Sequence, residues 1–223
     1  MRESGILMHI TSLPAPYGIG TMGKDAYAFV DFLVRAGQRY WQILPLTPTG
    51  YGDSPYQSLG ACAGNHYLID LDRLADEGLL KKEEIQNIPW GSNPARVDFG
   101  AMYAHRMNVL RQAFQRFTPD GAYETFVEQN RNWLEDYALF TALKDTLGGK
   151  PWLDWPEALR LRKADALAEK RRELSDEIRL QYFVQYEFDR QWKALRSYAN
   201  QLACARILDI LQPPEEHGKK GKK

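Results

Sequence analysis

The chain has 223 residues, and its 29 Lys+Arg balance its 29 Asp+Glu, so the formal net charge at pH 7 is zero. Nucleic acids and anionic membranes draw much of their affinity from a surplus of Lys and Arg, and this balance excludes both as main partners. The aromatic fraction is 12%, with six Trp and twelve Tyr. Most of these rings are expected in a core, but polar-tipped aromatic side chains also furnish carbohydrate sites.

The cysteine content and the amino terminus indicate the compartment. Cys62 and Cys204 are too few for a disulfide framework, and we expect two reduced, partly buried thiols. Met1 is followed by charged residues and a short strand-like run rather than by a long apolar segment, which predicts neither a signal peptide nor a transmembrane helix. A cytoplasmic protein is the expectation.

The first part of the chain has the pattern of a βαβ unit. Residues 5–9 and 41–46 are short apolar runs that predict two strands, and the second run is typical of a strand covered on both faces. Between them, residues 24–36 carry apolar positions at helical spacing and precede Gly37, which predicts an amphipathic helix. Since a βαβ crossover makes its strands parallel, the loops that follow the two strands should emerge on the same side of the sheet.

The central part of the chain is predicted to be mainly helical. A short extended piece is expected at residues 67–71, and a third strand at residues 206–211. The helical predictions cover residues 98–117, 123–147, 157–179 and 182–199. We therefore divide the chain into two βα units (residues 1–60), a helical subdomain (61–178), a return helix with a third strand (179–212) and a disordered charged tail (213–223).

The loop after the second strand is the best candidate for a binding site. Glycines and prolines break regular structure there, and the stretch GYGDSPYQS combines aromatic rings with short hydrogen-bonding groups. Such a mixture suits the apolar faces and hydroxyl rims of sugar rings.

The sequence contains four stretches that resemble a known family. The stretches are ESGILMHITSLPAPYGIGTMG, the GYGDSPYQS loop, WLEDYALFTALKD and YFVQYEFDRQWKALRSYAN. They are similar to the amino-terminal half of bacterial 4-α-glucanotransferase, also called amylomaltase or disproportionating enzyme. The resemblance implies an α/β fold, the first three strands of a (β/α)8 TIM barrel, with a large helical insertion between strands 2 and 3.

The resemblance also implies the chemistry. The family transfers segments of α-1,4-glucan between maltooligosaccharides with retention, which requires a carboxylate nucleophile and a second carboxyl group as acid and base. No metal and no organic cofactor is implied. The family's catalytic carboxylates belong to later strands, and from Gln201 this chain departs from the family's GIxIIGDxPIYV pattern. We therefore expect no catalytic residue in this chain, and no activity from it alone.

Two other functions are compatible with parts of the pattern. A non-catalytic α-glucan-binding module derived from the same family would keep the aromatic loop without the chemistry. A parallel-sheet enzyme of different chemistry would share only the βαβ pattern, and the motif match disfavours it. For a member of the 4-α-glucanotransferase family and for the derived binding module alike, the partners are α-1,4-glucans and maltooligosaccharides.

The resemblance gives roles to residues of the loop. Ser54 and Tyr56 match positions that line the subsite next to the cleaved bond, where the tyrosine ring stacks on the sugar. Tyr51 and Gln57 are weaker candidates of the same kind. Asp53 either pairs with sugar hydroxyls or caps the turn that Gly52 begins, and the turn is the simpler interpretation.

Outside the loop, one histidine and two tryptophans have expected roles. His9, at the end of the first strand, would face the same loops, although a lone histidine there is more often structural than catalytic. Trp133 and Trp192 lie on apolar helix faces and are predicted to be core.

Overall fold

The computed structural model describes residues 3–50, 52–93 and 96–202, together with the backbone of residues 206–209. Its strands are β1 (Gly5–Leu7), β2 (Tyr40–Ile43) and β3 (Arg206–Asp209). Its helices are α1 (Lys24–Arg35), α2 (Leu71–Asp76), α3 (Lys82–Gln86), α4 (Phe99–Arg116), α5 (Gly121–Gln129), α6 (Arg131–Thr146), α7 (Glu157–Arg160), α8 (Ala164–Glu173) and α9 (Ser175–Gln201). None of the helices within these ranges is long and apolar enough to cross a membrane.

The three strands form one small parallel sheet in the order β1-β2-β3. Gly5 pairs with Tyr40, and Tyr40 pairs with Arg206 on the other side. The βαβ prediction is therefore confirmed, and helices α2 to α9 all lie between β2 and β3 in the sequence. β2 ends at Ile43 rather than at residue 46, because Pro45 has no N–H to donate to a ladder.

The strands are not covered on both faces, and that prediction is wrong. Trp41 and Ile43 are fully buried, but Gln42 between them is exposed, as are all three residues of β1. On the covered side, the Trp41 ring packs edge-on against Phe29 of α1 at 5.0 Å, and its Nε1 donates to the Met8 carbonyl at 2.7 Å. Helix α1 thus covers one face of the sheet, and the strands alternate as a half-buried sheet does.

Helix α9 is the longest helix, with 27 residues, and two of its glutamines hold the segment that follows the β2 loop. Gln185 accepts from the Gly64 N–H at 2.7 Å and donates to the Gly64 carbonyl at 3.0 Å. Gln191 likewise accepts from the Asp70 N–H at 2.7 Å and donates to the Asp70 carbonyl at 3.3 Å. The approach at Gly64 is so close that a Cβ there would lie 2.0 Å from the Phe188 ring, so only glycine fits.

The extended piece predicted at residues 67–71 is wrong. The chain instead makes a 3-10 turn at His66–Leu68 and then enters α2 at Leu71. The reason is local capping: the Asn65 side chain accepts from the Tyr67 N–H at 3.0 Å, and the Asp70 side chain accepts from the Arg73 N–H at 3.0 Å. Such caps satisfy helix N–H groups and stabilise the turn over a strand.

Two predicted helices are each divided. The run 123–147 breaks at Asn130, whose side chain donates to the Phe126 carbonyl at 2.8 Å, so that α5 and α6 are separate helices. The run 157–179 becomes α7, α8 and the first turn of α9, with Arg162 in the left-handed region at φ 53° between the first two. The helices at 98–117 and 182–199 are confirmed as α4 and as part of α9. Residues 210–223, which include the end of the third predicted strand and the predicted tail, lie outside the described residues, as does Cys204.

Replacement of Gln185 should lower stability sharply. Gln185→Leu keeps the size of the side chain but leaves the buried N–H and carbonyl of Gly64 without their partner. We expect the free energy of unfolding to fall by about 2–4 kcal/mol, measured by urea denaturation. Gln115→Leu, at an exposed position of α4, is the matched control and should change stability by less than about 0.5 kcal/mol. Equal effects from the two variants would contradict the role of Gln185.

Candidate functional site

The loop after β2 folds back on itself as a small hairpin. Thr49 and Ser58 form an isolated antiparallel bridge, and the Gly50 N–H donates to the Gln57 carbonyl at 3.0 Å. At the tip, the Asp53 N–H donates to the Gly50 carbonyl at 3.2 Å, and Asp53 has a left-handed φ of 57°. Asp tolerates this region better than most residues, which explains its use in the turn.

The predicted sugar-facing residues occupy different positions in this hairpin. Tyr56 is 64% exposed, and its N–H donates to the Ser54 hydroxyl oxygen at 3.3 Å, so Ser54 supports the turn that presents Tyr56. Gln57 closes the hairpin through its backbone and leaves its side chain exposed. Tyr51 lies outside the described residues.

Asp53 lies in the turn at the loop tip, and its side chain contacts the helical part of the chain. Its carboxylate accepts a hydrogen bond from the Tyr103 hydroxyl, which reaches the loop from α4. The Tyr103 ring in turn packs edge-on against Tyr67 at 6.1 Å. Burial, followed by the bond to Asp53, raises the pKa of Tyr103 to about 12, so the hydroxyl remains a donor at neutral pH. This contact ties the loop tip to the helical part of the chain, and sequence reasoning missed it.

A groove of about 630 Å³ lies between the loop and the helices. Pro55, Tyr56 and Ser58 form the loop side, with Cys62 further along the chain. The helical side is formed by residues of α5, α6 and α9 and by the residue between α5 and α6: Phe126, Asn130, Trp133, Gln185, Phe188, Asp189 and Trp192. The groove therefore combines the predicted loop with helices that sequence reasoning did not place beside it.

Two predictions about burial are corrected among the residues that line this groove. Trp133 was predicted to be core, but it is half-buried and lines the groove, where its Nε1 donates to the Asn130 side-chain oxygen at 3.0 Å. Trp192 is buried as predicted, yet it also lines the groove. Cys62 was predicted to be partly buried and is an exposed free thiol, because it follows the hairpin rather than a strand.

The described residues of the groove lack the pair of carboxyl groups that retaining cleavage uses. Retaining cleavage needs two carboxyl groups about 5 Å apart. Among the described lining residues only Asp189 is a carboxylate, and it pairs with Lys193 at 2.7 Å. The described residues also hold no group of three or more His, Cys, Asp or Glu side chains that could bind a metal ion.

His9 is not among the described residues that line the groove. It precedes the 3-10 turn Ile10–Ser12, and its half-buried side chain has Nδ1 without a hydrogen-bond partner among the described residues. Burial lowers the pKa of His9 to about 4, so the ring is neutral at pH 7.

A second histidine and a buried arginine lie behind the loop. Arg106 of α4 is fully buried and donates from Nη2 to the Tyr67 carbonyl at 2.9 Å and to the Ile69 carbonyl. Burial, followed by the charge of Arg106, lowers the pKa of His66 to about 3. Sequence reasoning did not identify Arg106.

The two histidines should make the protein sensitive to acid. Because the folded pKa values of His9 and His66 lie below the unfolded value of 6.5, the unfolded chain binds protons first as the pH falls. The free energy of unfolding should therefore decrease from about pH 6.5 towards pH 4, by up to about 1.4 kcal/mol per pH unit for each histidine. Urea denaturation at several pH values measures this slope, and the double variant His9→Gln/His66→Gln should flatten it. A double variant with the slope of the original chain would contradict the assignment.

The contact between Tyr103 and Asp53 should control the mobility of the loop. Tyr103→Phe removes the hydroxyl and keeps the ring, so we expect faster backbone amide exchange in residues 50–58, by about two- to tenfold. Tyr123→Phe is the control, because its ring packs against Phe117 and Tyr186 away from the loop. The same exchange rates in both variants would show that the hydroxyl does not hold the loop.

The chain was compared with protein families and with known proteins. A family model described as 4-alpha-glucanotransferase matches residues 8–210. The 4-alpha-glucanotransferase of Thermus thermophilus is 48% identical over 215 residues, covering 94% of this chain and 42% of the relative. That of Streptococcus pneumoniae serotype 4 is 47% identical over 203 residues, covering 89% of this chain and 40% of the relative.

Solved structures agree with the sequence comparison. Amylomaltase from Streptococcus agalactiae, solved in complex with acarbose, matches with a TM-score of 0.90 and 44% identity, covering 94% of this chain and 43% of that one. Amylomaltase from Corynebacterium glutamicum matches with a TM-score of 0.65 at 18% identity, which shows likeness of fold alone. The chain thus spans about two fifths of the length of the relatives that are 44–48% identical to it. The resemblance found in its motifs is confirmed, and the chain belongs to the 4-alpha-glucanotransferase family.

Proposed function

We propose that this chain binds α-1,4-glucans and maltooligosaccharides in the groove beside the β2 loop. The observation that carries the proposal is Tyr56, which is 64% exposed on the groove wall while Trp133 lines the same groove from α6. Aromatic rings with free faces stack on the apolar faces of sugars, and Ser58 and Asn130 add short hydrogen-bonding groups. The names of the relatives and the acarbose complex of the similar amylomaltase support an α-glucan as the ligand.

The proposal extends to the other predicted residues with unequal support. Ser54 would act through the turn that presents Tyr56, since it accepts the Tyr56 N–H. Asp53 would act through Tyr103, which holds the loop tip. Gln57 has an exposed side chain able to reach a sugar hydroxyl, whereas Tyr51 is proposed on the family motif alone. His9 is the weakest candidate, because its ring is half-buried.

We further propose that these elements are the first three strands of a (β/α)8 barrel with a helical insertion. Its support is the parallel order β1-β2-β3 and the exposed sheet face that carries Gln42, which a closed barrel would place inside. Loops at the carboxyl ends of strands carry function in such barrels, and the groove follows the carboxyl end of β2. The division of the chain at residues 60, 178 and 212 belongs to the same proposal.

The family activity is transfer of glucan segments with retention, and we propose that this chain contributes binding rather than bond cleavage. The single carboxylate among the described groove residues, Asp189, is paired with Lys193, and retaining transfer needs two. Neither a metal nor a cofactor has a part in this proposal, and the neutral net charge argues against nucleic acid. A cytoplasmic location fits the free Cys62 thiol. A dedicated glucan-binding module is less favoured, since the relatives compared are 4-alpha-glucanotransferases.

Glucan binding is tested by calorimetric titration of the purified chain with maltotriose. Tyr56→Ala should weaken binding about fivefold, the loss expected for one stacking contact of about 1 kcal/mol, and Tyr56→Phe should retain most of the affinity. Phe32→Ala, which removes another exposed aromatic side chain on α1, is the control and should leave affinity unchanged. Equal binding of cellotriose, or no effect of Tyr56→Ala, would refute the proposed site.

The absence of transfer is tested on the same preparation. Incubation with maltotriose should yield neither glucose nor longer maltodextrins in amounts above a boiled control. Accumulation of both products would mean that this chain carries catalytic carboxyl groups that we have not assigned.

A further inference from the structure

A second cavity lies against α6, away from the β2 loop. It has a volume of about 310 Å³ and is floored by four leucines from α6, α7 and α8. Its other lining residues are Asp136, Phe140, Trp152, Trp155 and Arg162. We call this cavity the α6 pocket. The α6 pocket shares no lining residue with the groove beside the β2 loop.

The α6 pocket presents one free aromatic ring on a rigid support. Trp155 is buried, stacks on Phe140 at 5.4 Å and donates from Nε1 to the Lys150 carbonyl at 3.1 Å, so its position is fixed. Trp152, in the same 3-10 turn region, is 48% exposed. A large aromatic side chain left half in water beside an apolar cavity is a feature of ligand and interaction sites rather than of a solvated surface.

The rim of the α6 pocket is polar and fixed in place. Asp136 accepts from Arg162 at 2.8 Å and from Arg171 at 3.3 Å. The backbone of Arg162 is left-handed, at φ 53°, between α7 and α8. Carboxylate oxygens and guanidinium N–H groups side by side can accept from and donate to neighbouring hydroxyls. An aromatic platform with such a rim suits an uncharged ligand that has one apolar face and many hydroxyl groups.

The α6 pocket lies on the same helix as the groove. Asn130 and Trp133 line the groove at the start of α6, and Phe140 lines the α6 pocket seven residues after Trp133. Seven residues are about two turns, or roughly 10 Å along the helix, and they return to nearly the same face. Trp133 and Phe140 therefore lie about two turns apart on nearly the same face of α6.

From this arrangement we propose that the α6 pocket is an accessory site for α-glucan chains, in which Trp152 stacks on a glucose ring and the Asp136–Arg162 pair binds its hydroxyls. The inference rests on the proposed function for the identity of the ligand, but on separate residues for the site. It implies that long glucans bind this chain more tightly than short ones, because they reach both positions.

The test compares long and short glucans by calorimetric titration of the full chain. Trp152→Ala should weaken maltoheptaose binding about five- to tenfold and leave maltotriose binding in the groove unchanged, while Trp152→Phe should retain most of the affinity. Leu153→Ala is the matched control, because Leu153 is the adjacent residue, is 68% exposed and does not line the α6 pocket. Urea denaturation of each variant confirms that it is folded.

Each outcome separates the two proposals. Loss of maltotriose binding in Tyr56→Ala with no effect of Trp152→Ala on maltoheptaose would support the groove and overturn the accessory site. Retained maltoheptaose binding in Tyr56→Ala that disappears when Trp152 is also replaced would support the accessory site. A chain that binds no glucan overturns both. If light scattering shows an oligomer that Trp152→Ala dissociates without changing glucan affinity, a second copy occupies the pocket and the accessory site is overturned.

Discussion

The β2 loop depends on two buried glutamines that replace the backbone partners it would have in a sheet. Gln185 and Gln191 of α9 each exchange a pair of hydrogen bonds with one backbone unit, at Gly64 and at Asp70. A buried N–H or carbonyl without a partner costs about 1–3 kcal/mol, so the segment can enter the core only where such side chains receive it. The six-residue spacing of the two glutamines along α9 therefore fixes where the loop ends and where α2 begins.

A buried charged residue of α4, Arg106, also holds the segment between Gly64 and Asp70. Arg106 reaches from α4 to the carbonyls of Tyr67 and Ile69, within the segment that the glutamines hold at its two ends. Its guanidinium lies over the Trp90 ring at 5.8 Å, and burial lowers the pKa of Arg106 to about 10, so it remains charged at neutral pH. Together α4 and α9 fix residues 64–70, and α4 also reaches the loop tip through Tyr103. The exposed hairpin thus stands on a segment fixed by two helices.

The parts of this arrangement that the sequence predicted are those with local signals. The βαβ unit follows from apolar runs and Gly37, and the loop after β2 follows from the glycines and prolines of the GYGDSPYQS motif. The divisions at Asn130 and at Arg162 were missed because helical periodicity continues through them, and only a side-chain bond or a left-handed residue interrupts it. Gln185 and Gln191 were missed because a glutamine on a helix is usually solvated, and its burial depends on a loop 121 residues away in sequence.

The same limit explains why sequence reasoning did not predict the helical wall of the groove. Gly60, just past the hairpin, has no side chain, and a Cβ there would lie 3.0 Å from the Tyr137 ring of α6. Glycine at this position therefore lets α6 approach the loop, which brings Trp133 and Asn130 to the groove opposite Tyr56. The helices and the loop consequently depend on each other. Without the close approach at Gly60, Trp133 and Tyr56 would face open solvent instead of lining the same groove.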